Sequence, residues 1–174
     1  MYVFYLPEKK TAPANSCVAK YSVKTYGHWQ SPWEFDPDEW YGFVYRIRDR
    51  ETGQLYIGKK QFRSQQRKKV AGRKNRKVVH KPSKWESYTS SSRLINETIE
   101  TAGTDRYEYF IVSLHETKGS LYYAEVLLQM REDVLRARMP SGDAKYLNGL
   151  VGAVKFRPPL PTERELAHST WDQS

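Results

Sequence analysis

The chain has 174 residues, a net charge of +9 and 39% apolar residues, enough for one domain with a sizeable core. No apolar run approaches the ~18 residues of a membrane-spanning helix, and the start, Met1-Tyr-Val-Phe-Tyr-Leu6, lacks the basic stretch and small-residue cleavage site of a signal peptide. One cysteine, Cys17, excludes an internal disulfide or a cysteine-rich zinc site and fits a reducing, intracellular (cytoplasmic) compartment.

Residues 1–40 are rich in Tyr, Trp and Pro without a clear period, and read as an irregular arm whose Trp29, Trp33 and Trp40 pack on the core. Tyr41-Gly-Phe-Val-Tyr-Arg-Ile47 and Leu55-Tyr-Ile-Gly58 then flank the polar stretch Asp49–Gln54, which predicts a β-hairpin over 42–60 with a tyrosine on each strand, Tyr45 and Tyr56. Residues 59–84 follow with 12 of the chain's 29 Lys/Arg and none of its 20 acids, so this one segment makes the protein basic. Such a run would repel itself strongly, and an anionic partner is the expected counterpart, nucleic acid before a membrane surface because residues 63–81 hold almost no large apolar groups.

Within the basic segment Gly72 and Asn75 suggest a loop, and residues 76–88 suggest a short helix broken at Pro82. Residues 90–102 predict a helix with Leu94, Ile95, Ile99 and Ala102 on one face and Gly103 after its end. Residues 107–114, Tyr-Glu-Tyr-Phe-Ile-Val-Ser-Leu, predict a strand. A turn at Thr117–Ser120 should lead into a helix over 121–138, with Leu121, Ala124, Leu127, Leu128, Val134 and Leu135 on one stripe, ended by Pro140-Ser-Gly-Asp143. Residues 146–156 are apolar with breaks at Asn148, Gly149 and Gly152, and Thr162-Glu-Arg-Glu165 matches a capping box for a short terminal helix. The order predicts an α/β (α+β) domain over 41–157 with the basic insertion 59–84, a small, mostly antiparallel three-stranded sheet flanked by helices, and a Pro-rich tail over 158–174.

The hairpin resembles the signature of GIY-YIG endonucleases. Phe43-Val44-Tyr45 stands for the first element, with Gly42 one position early, and Tyr56-Ile57-Gly58 matches the second in full. The resemblance covers roughly residues 41 to 150 and implies further site residues. Arg76 with His80 is the best match to the family's arginine and its companion, with Lys60, Arg63, Arg67 and Lys77 as competitors. Ser90-Ser91 with Arg93 is spaced as in phage homing members. Glu125 fits the metal-binding glutamate and Asn148, in Tyr146-Leu-Asn148, the terminal asparagine. What the family implies is a GIY-YIG-like fold and a metal-dependent DNA endonuclease, a phosphodiester hydrolase, using Mg²⁺ or Mn²⁺, of a kind encoded by phages and acting in the host cell.

The chemistry needs a nucleophilic water, neutralised phosphate charge and a stabilised leaving oxygen. Mg²⁺ accepts one or two carboxylates plus waters, so Glu125 could be its one protein ligand, with Glu97, Glu132 and Asp133 as rivals. Arg76 could hold the scissile phosphate through paired hydrogen bonds. Tyr45 or Tyr56 could take the water's proton if nearby cations lower its pKa from near 10. Asn148 suits catalysis or a turn with Gly149. Lys60, Arg63, Arg67, Lys74, Lys77 and His80 are the expected nucleic-acid contacts, whereas His28, His115 and His168 show no metal-ligand spacing. The alternative is a non-catalytic nucleic-acid-binding protein whose basic segment grips phosphate. Monomer and homodimer fit these motifs equally.

Overall fold

The computed structural model describes residues 23–69, 71–72, 74–75 and 77–170, with the side chains of 65–68 and 77–80 outside the description. Its elements in chain order are β1 (Lys24–Tyr26), β2 (Trp29–Ser31), β3 (Gly42–Asp49), β4 (Leu55–Gln61), β5 (Arg63–Lys68), β6 (Lys77–Pro82), α1 (Arg93–Ala102), β7 (Tyr107–His115), α2 (Lys118–Arg131) and α3 (Glu163–Ala167). The main sheet is five-stranded, in the order β1-β2-β7-β3-β4, and β5-β6 form a separate two-stranded sheet. The sheet is mixed, because β2 runs parallel to β7 while β3 runs antiparallel to both β7 and β4. This corrects the three-stranded, mostly antiparallel sheet expected from the sequence. Two of the five strands, β1 and β2, come from the segment read as an irregular arm; at three residues each they are too short to show a period of two.

β3 is apolar at successive positions because it is covered on both faces. On one side Phe43, Tyr45 and Ile47 join Trp29, Phe62, Trp85, Tyr109, Leu114 and Ile95 of α1 in an aromatic core. On the other, Val44, Ile57 and Val112 meet Leu121, Ala124 and Leu128 of α2. The hairpin is closed as predicted. Gly53 adopts φ +75° in its turn, and Asp49 accepts from the amides of Glu51 and Thr52 at 2.9 and 3.3 Å. Arg106 holds the same carboxylate through Nη2 at 2.8 Å, so its pKa falls although burial opposes the shift.

α1 starts where Ser92 accepts from the Ile95 amide and stops at Gly103, as expected. The helix expected over 76–88 is absent from its described residues 77–88: β6 pairs along the whole of β5, from Lys68 opposite Lys77 to Arg63 opposite Pro82. Pro82 closes the strand of a two-stranded sheet, where no further partner needs its missing N–H. Thr117–Ser120 is also no free turn. Thr117 is the N-cap of α2, accepting from the Ser120 amide, and residues 118–120 are already helical. α2 ends at Arg131 rather than at 138, because Asp133 takes φ +48° and the turned chain tucks Val134 into the core at 2% exposure. The predicted capping box is present at Thr162 and Glu165, and α3 follows it. Beyond α3 the chain bonds along β7, with Leu114 N donating to His168 O at 3.1 Å and Thr170 N to Val112 O at 3.1 Å. No described helix is long and apolar enough to cross a membrane.

Candidate active site

Tyr45 on β3 and Gly58 on β4 are cross-strand partners, and the tyrosine ring lies directly over the glycine. A Cβ built on Gly58 would stand 2.5 Å from the Tyr45 hydroxyl oxygen, so this position has room only for hydrogen. A bulge interrupts the β3–β7 register between Val44 and Tyr45, a device that re-aims side chains beside many active sites. Tyr45 is fully buried, in ring contact with Trp29 at 5.0 Å and Tyr56 at 6.3 Å. Its hydroxyl has no hydrogen-bond partner of good geometry among the described residues. The side chains of Tyr88 and Ser91 are close enough to influence it, and burial, reinforced by Tyr88 and Tyr56, pushes its pKa well above the usual value. Tyr56 is only partly buried, and its hydroxyl lies 3.0 Å from Ser91 Oγ. Burial raises its pKa too, with Tyr88 and the Glu125 carboxylate adding and Ser91 opposing. Both tyrosines are therefore neutral phenols at pH 7, contrary to the expectation that neighbouring cations would favour phenolate.

β4 is the strand at the edge of the sheet, so its alternate residues reach around that edge on two sides. Lys60, on the tyrosine side, places Nζ 4.1 Å from the centre of the Tyr88 ring, and burial lowers its pKa. Lys59, on the α2 side, forms a close ion pair with Glu125 Oε2 and also stands 4.1 Å over the Tyr122 ring. Lys59, Lys60, Arg63, Tyr88, Ser91 and Glu125 all line one cleft of about 570 Å³, together with Lys118 and Tyr122. Four cations and one carboxylate give this cleft a net positive lining suited to phosphate.

The rival carboxylates are occupied elsewhere. Glu132 accepts from Tyr146 Oη at 2.7 Å and pairs with Arg46, Asp133 pairs with Arg136, and Glu97 with Arg93. Glu125 is left as the carboxylate of the cleft. One of its oxygens faces Lys59, and no group of three or more His, Cys, Asp or Glu gathers as metal ligands among the described residues. A lone hard oxygen donor beside an open cleft fits Mg²⁺ or Mn²⁺, which retain several waters, and does not fit zinc. The Lys59 ammonium is the cation that this carboxylate now holds.

Asn148 is not in the cleft. Its Oδ1 accepts from Ile57 N at 2.9 Å and its Nδ2 donates to Ile57 O at 2.8 Å, so its amide is consumed in holding the edge of β4 between Tyr56 and Gly58. Arg76 lies outside the described residues, as do the side chains of Arg67, Lys77 and His80; Lys74 is exposed at the turn between β5 and β6. Of the three histidines read as non-functional, His28 Nε2 lies 3.0 Å from Tyr88 O, His115 is buried beside Ser113, and His168 meets the Trp40 ring at 5.1 Å, tilted by 57°. Sequence reasoning missed Lys59, Tyr88 and Lys118. Only the adjacency of Lys59 to Gly58 could have pointed to one of them.

Among protein families, residues 26–151 match the one described as "Putative endonuclease segE, GIY-YIG domain". No curated protein and no solved structure matches the chain. The matched span begins at Tyr26, before the hairpin, and so takes in β2, Trp29 and every cleft residue described above. The family match and the hairpin geometry agree, and the chain belongs to the GIY-YIG endonuclease superfamily.

Proposed function

We propose that the protein is a metal-dependent DNA endonuclease that hydrolyses phosphodiester bonds in the cleft at the edge of β4. The observation that carries this reading is the convergence of Glu125, Lys59, Lys60 and the Ser91 hydroxyl, bonded to Tyr56, on one cleft. Glu125 would hold one Mg²⁺ or Mn²⁺ ion, which when bound supplies charge neutralisation and acidity to a coordinated water. Lys59 and Lys60 neutralise the non-bridging phosphate oxygens, and Arg63 and Lys118 extend that field along the cleft.

Tyr56 has a partly open hydroxyl with a hydroxyl partner in Ser91, so it can orient the attacking water and pass its proton on. Because its pKa is raised, it works as a neutral relay rather than as a standing phenolate. Tyr45 lies deeper, fixes the floor over Gly58 and supports the Tyr56 ring. Asn148 is a positioning residue, because it acts on the hairpin through Ile57. Arg76 remains a proposed phosphate contact from the family resemblance.

The test is incubation with supercoiled plasmid and Mg²⁺, with and without EDTA, for the parent and Glu125→Ala. Nicking or linearisation that needs both Mg²⁺ and Glu125 is expected. Retarded but uncut DNA, identical in the variant, would instead identify a non-catalytic binding protein.

A further inference from the structure

The basic segment is built as a ribbon rather than as a loop. β5 and β6 pair over six residues each with no third strand among the described residues. At ~3.4 Å per residue the paired part is roughly 20 Å long. Residues 63–82 contain nine Lys/Arg, no Asp or Glu, and no Phe, Trp or Tyr. A two-stranded ribbon is marginal on its own in water, so its root has to hold it. Phe62, 2% exposed, packs its ring on Trp85 at 5.0 Å; its N donates to Tyr41 O at 3.0 Å and its O accepts from Ser83 N at 2.8 Å. Ser83 Oγ donates to Gln61 O at 2.6 Å, tying the two roots together. At that root Arg63, Ser64 and Ser83 line the cleft, so whatever lies along the ribbon runs on into the cleft.

We infer that the β5–β6 ribbon lies in the major groove of B-form duplex DNA, gripping the substrate and reading base edges beside the cleavage cleft. This rests on the nuclease reading of the cleft and adds the form of nucleic acid and the element that holds it. Four physical facts select this partner. A major groove ~12 Å wide admits a two-stranded ribbon in an undeformed duplex, whereas a minor groove of ~6 Å would first have to be widened at a cost in deformation energy. Single-strand binding depends on aromatic stacking, and the ribbon has no Phe, Trp or Tyr. The major groove of A-form RNA is too narrow and deep to be read, which disfavours duplex RNA. A ribbon of roughly 20 Å spans about six base pairs and some twelve phosphates, comparable to its own charge.

The register also supplies base-reading groups as well as phosphate contacts. It sets Gln65 opposite His80, Gln66 opposite Val79 and Lys68 opposite Lys77. By type, glutamine is suited to adenine, and arginine, at Arg67, to guanine.

The experiment is a chemical footprint with full-length protein in EDTA on a 30-base-pair DNA, with binding measured by fluorescence anisotropy. Dimethyl sulfate should find guanine N7, in the major groove, protected over about six base pairs, and adenine N3, in the minor groove, unprotected. The combined Arg67→Gln, Lys68→Gln, Lys77→Gln and Lys81→Gln variant should bind the duplex at least tenfold more weakly. Its dependence of log K on log salt should fall by about 3–4, at ~0.9 per phosphate. Protection of N3 without N7, equal affinity for single strands or duplex RNA, or unchanged affinity in the variant would each overturn the inference. The footprint needs only the parent protein, so a misfolded variant does not rescue the idea. N7 protection without Mg²⁺-dependent cutting would leave the ribbon standing and sink the nuclease reading; cutting without N7 protection would do the reverse.

Discussion

Tyr45 and Tyr56 look equivalent in the motif, but their surroundings divide the labour between them. The Tyr45 hydroxyl is buried without a well-formed hydrogen bond among the described residues, while that of Tyr56 bonds Ser91 at the cleft. Deleting an unpartnered buried hydroxyl removes a desolvated polar group and leaves the ring packing intact. Tyr45→Phe should therefore keep or raise the melting temperature and lower kcat only modestly. Tyr56→Phe should leave folding unchanged and lower kcat about a hundredfold or more, the range of a lost proton relay. Single-turnover cleavage rates with thermal melts of both variants check this, and a larger loss for Tyr45→Phe than for Tyr56→Phe would reverse the assignment. These residues, with Glu125, were singled out in the sequence through the resemblance of their order and spacing to the family signature. Tyr88 and Lys118 were not, because only the return of the chain across the edge of β4 brings them to the cleft. The pKa expectation failed for a physical reason: burial, reinforced by Tyr88, raises both phenols.

Edge strands expose unpaired backbone, and β4 is covered by chain that the sequence marks only as an apolar stretch with breaks. Leu55 N donates to Lys145 O at 2.9 Å, Leu147 N to Leu55 O at 2.7 Å, and Asn148 completes the cover on Ile57. The tyrosine hairpin, β7, α1 and the capped start of α3 were legible, because turns, caps and short periods are local. The ribbon was not, because charged residues conceal a period of two. α3 shows a further non-local device, a clasp. Glu165 is 4% exposed and accepts from Ser120 Oγ at 2.6 Å, Glu116 N at 2.8 Å and Thr162 N at 3.2 Å, with His115 Nδ1 at 3.6 Å. Burial alone would raise its pKa, but these partners prevail and take it from an ordinary 4.5 to about 2. A carboxylate with a depressed folded pKa stabilises fully above its unfolded value and loses that contribution as pH falls through the folded one. Glu165→Gln should thus cost about 1–3 kcal/mol at pH 7. The difference from the parent should shrink as pH falls from about 4.5 to about 2. Urea melts across that range give the measurement, and a pH-independent difference would show that the charge of Glu165 is irrelevant.

At the scale of the whole molecule, residues 23–40 belong to the framework that holds the candidate cleft. Trp29 is fully buried, with its ring 5.1 Å from Phe43, 5.0 Å from Tyr45 and 5.2 Å from Tyr109. Its indole Nε1 donates to Trp85 O at 2.9 Å, which ties it to the root of the ribbon. Gly27, at φ +61°, brings the β1–β2 turn so close to residue 86 that a Cβ there would lie 2.6 Å from Glu86 O. His28 then meets Tyr88 O, so the same turn positions a cleft tyrosine. One short hairpin therefore sets the depth of Tyr45, the root of the ribbon and the place of Tyr88. A Trp in such a position contributes several kilocalories, since Trp→Ala in a core costs about 3–5 kcal/mol. That is a large part of the 5–15 kcal/mol typical of a whole domain. A chain beginning at Tyr41, which keeps the full tyrosine hairpin, Glu125 and Asn148, should accordingly show no cooperative unfolding transition and no near-ultraviolet circular dichroism. Trp29→Ala in the full chain should fold with reduced stability and lose cleavage through a displaced Tyr45. If the shortened chain folded cooperatively and cut DNA, residues before 41 would be an accessory, and the mixed sheet would be incidental to the site.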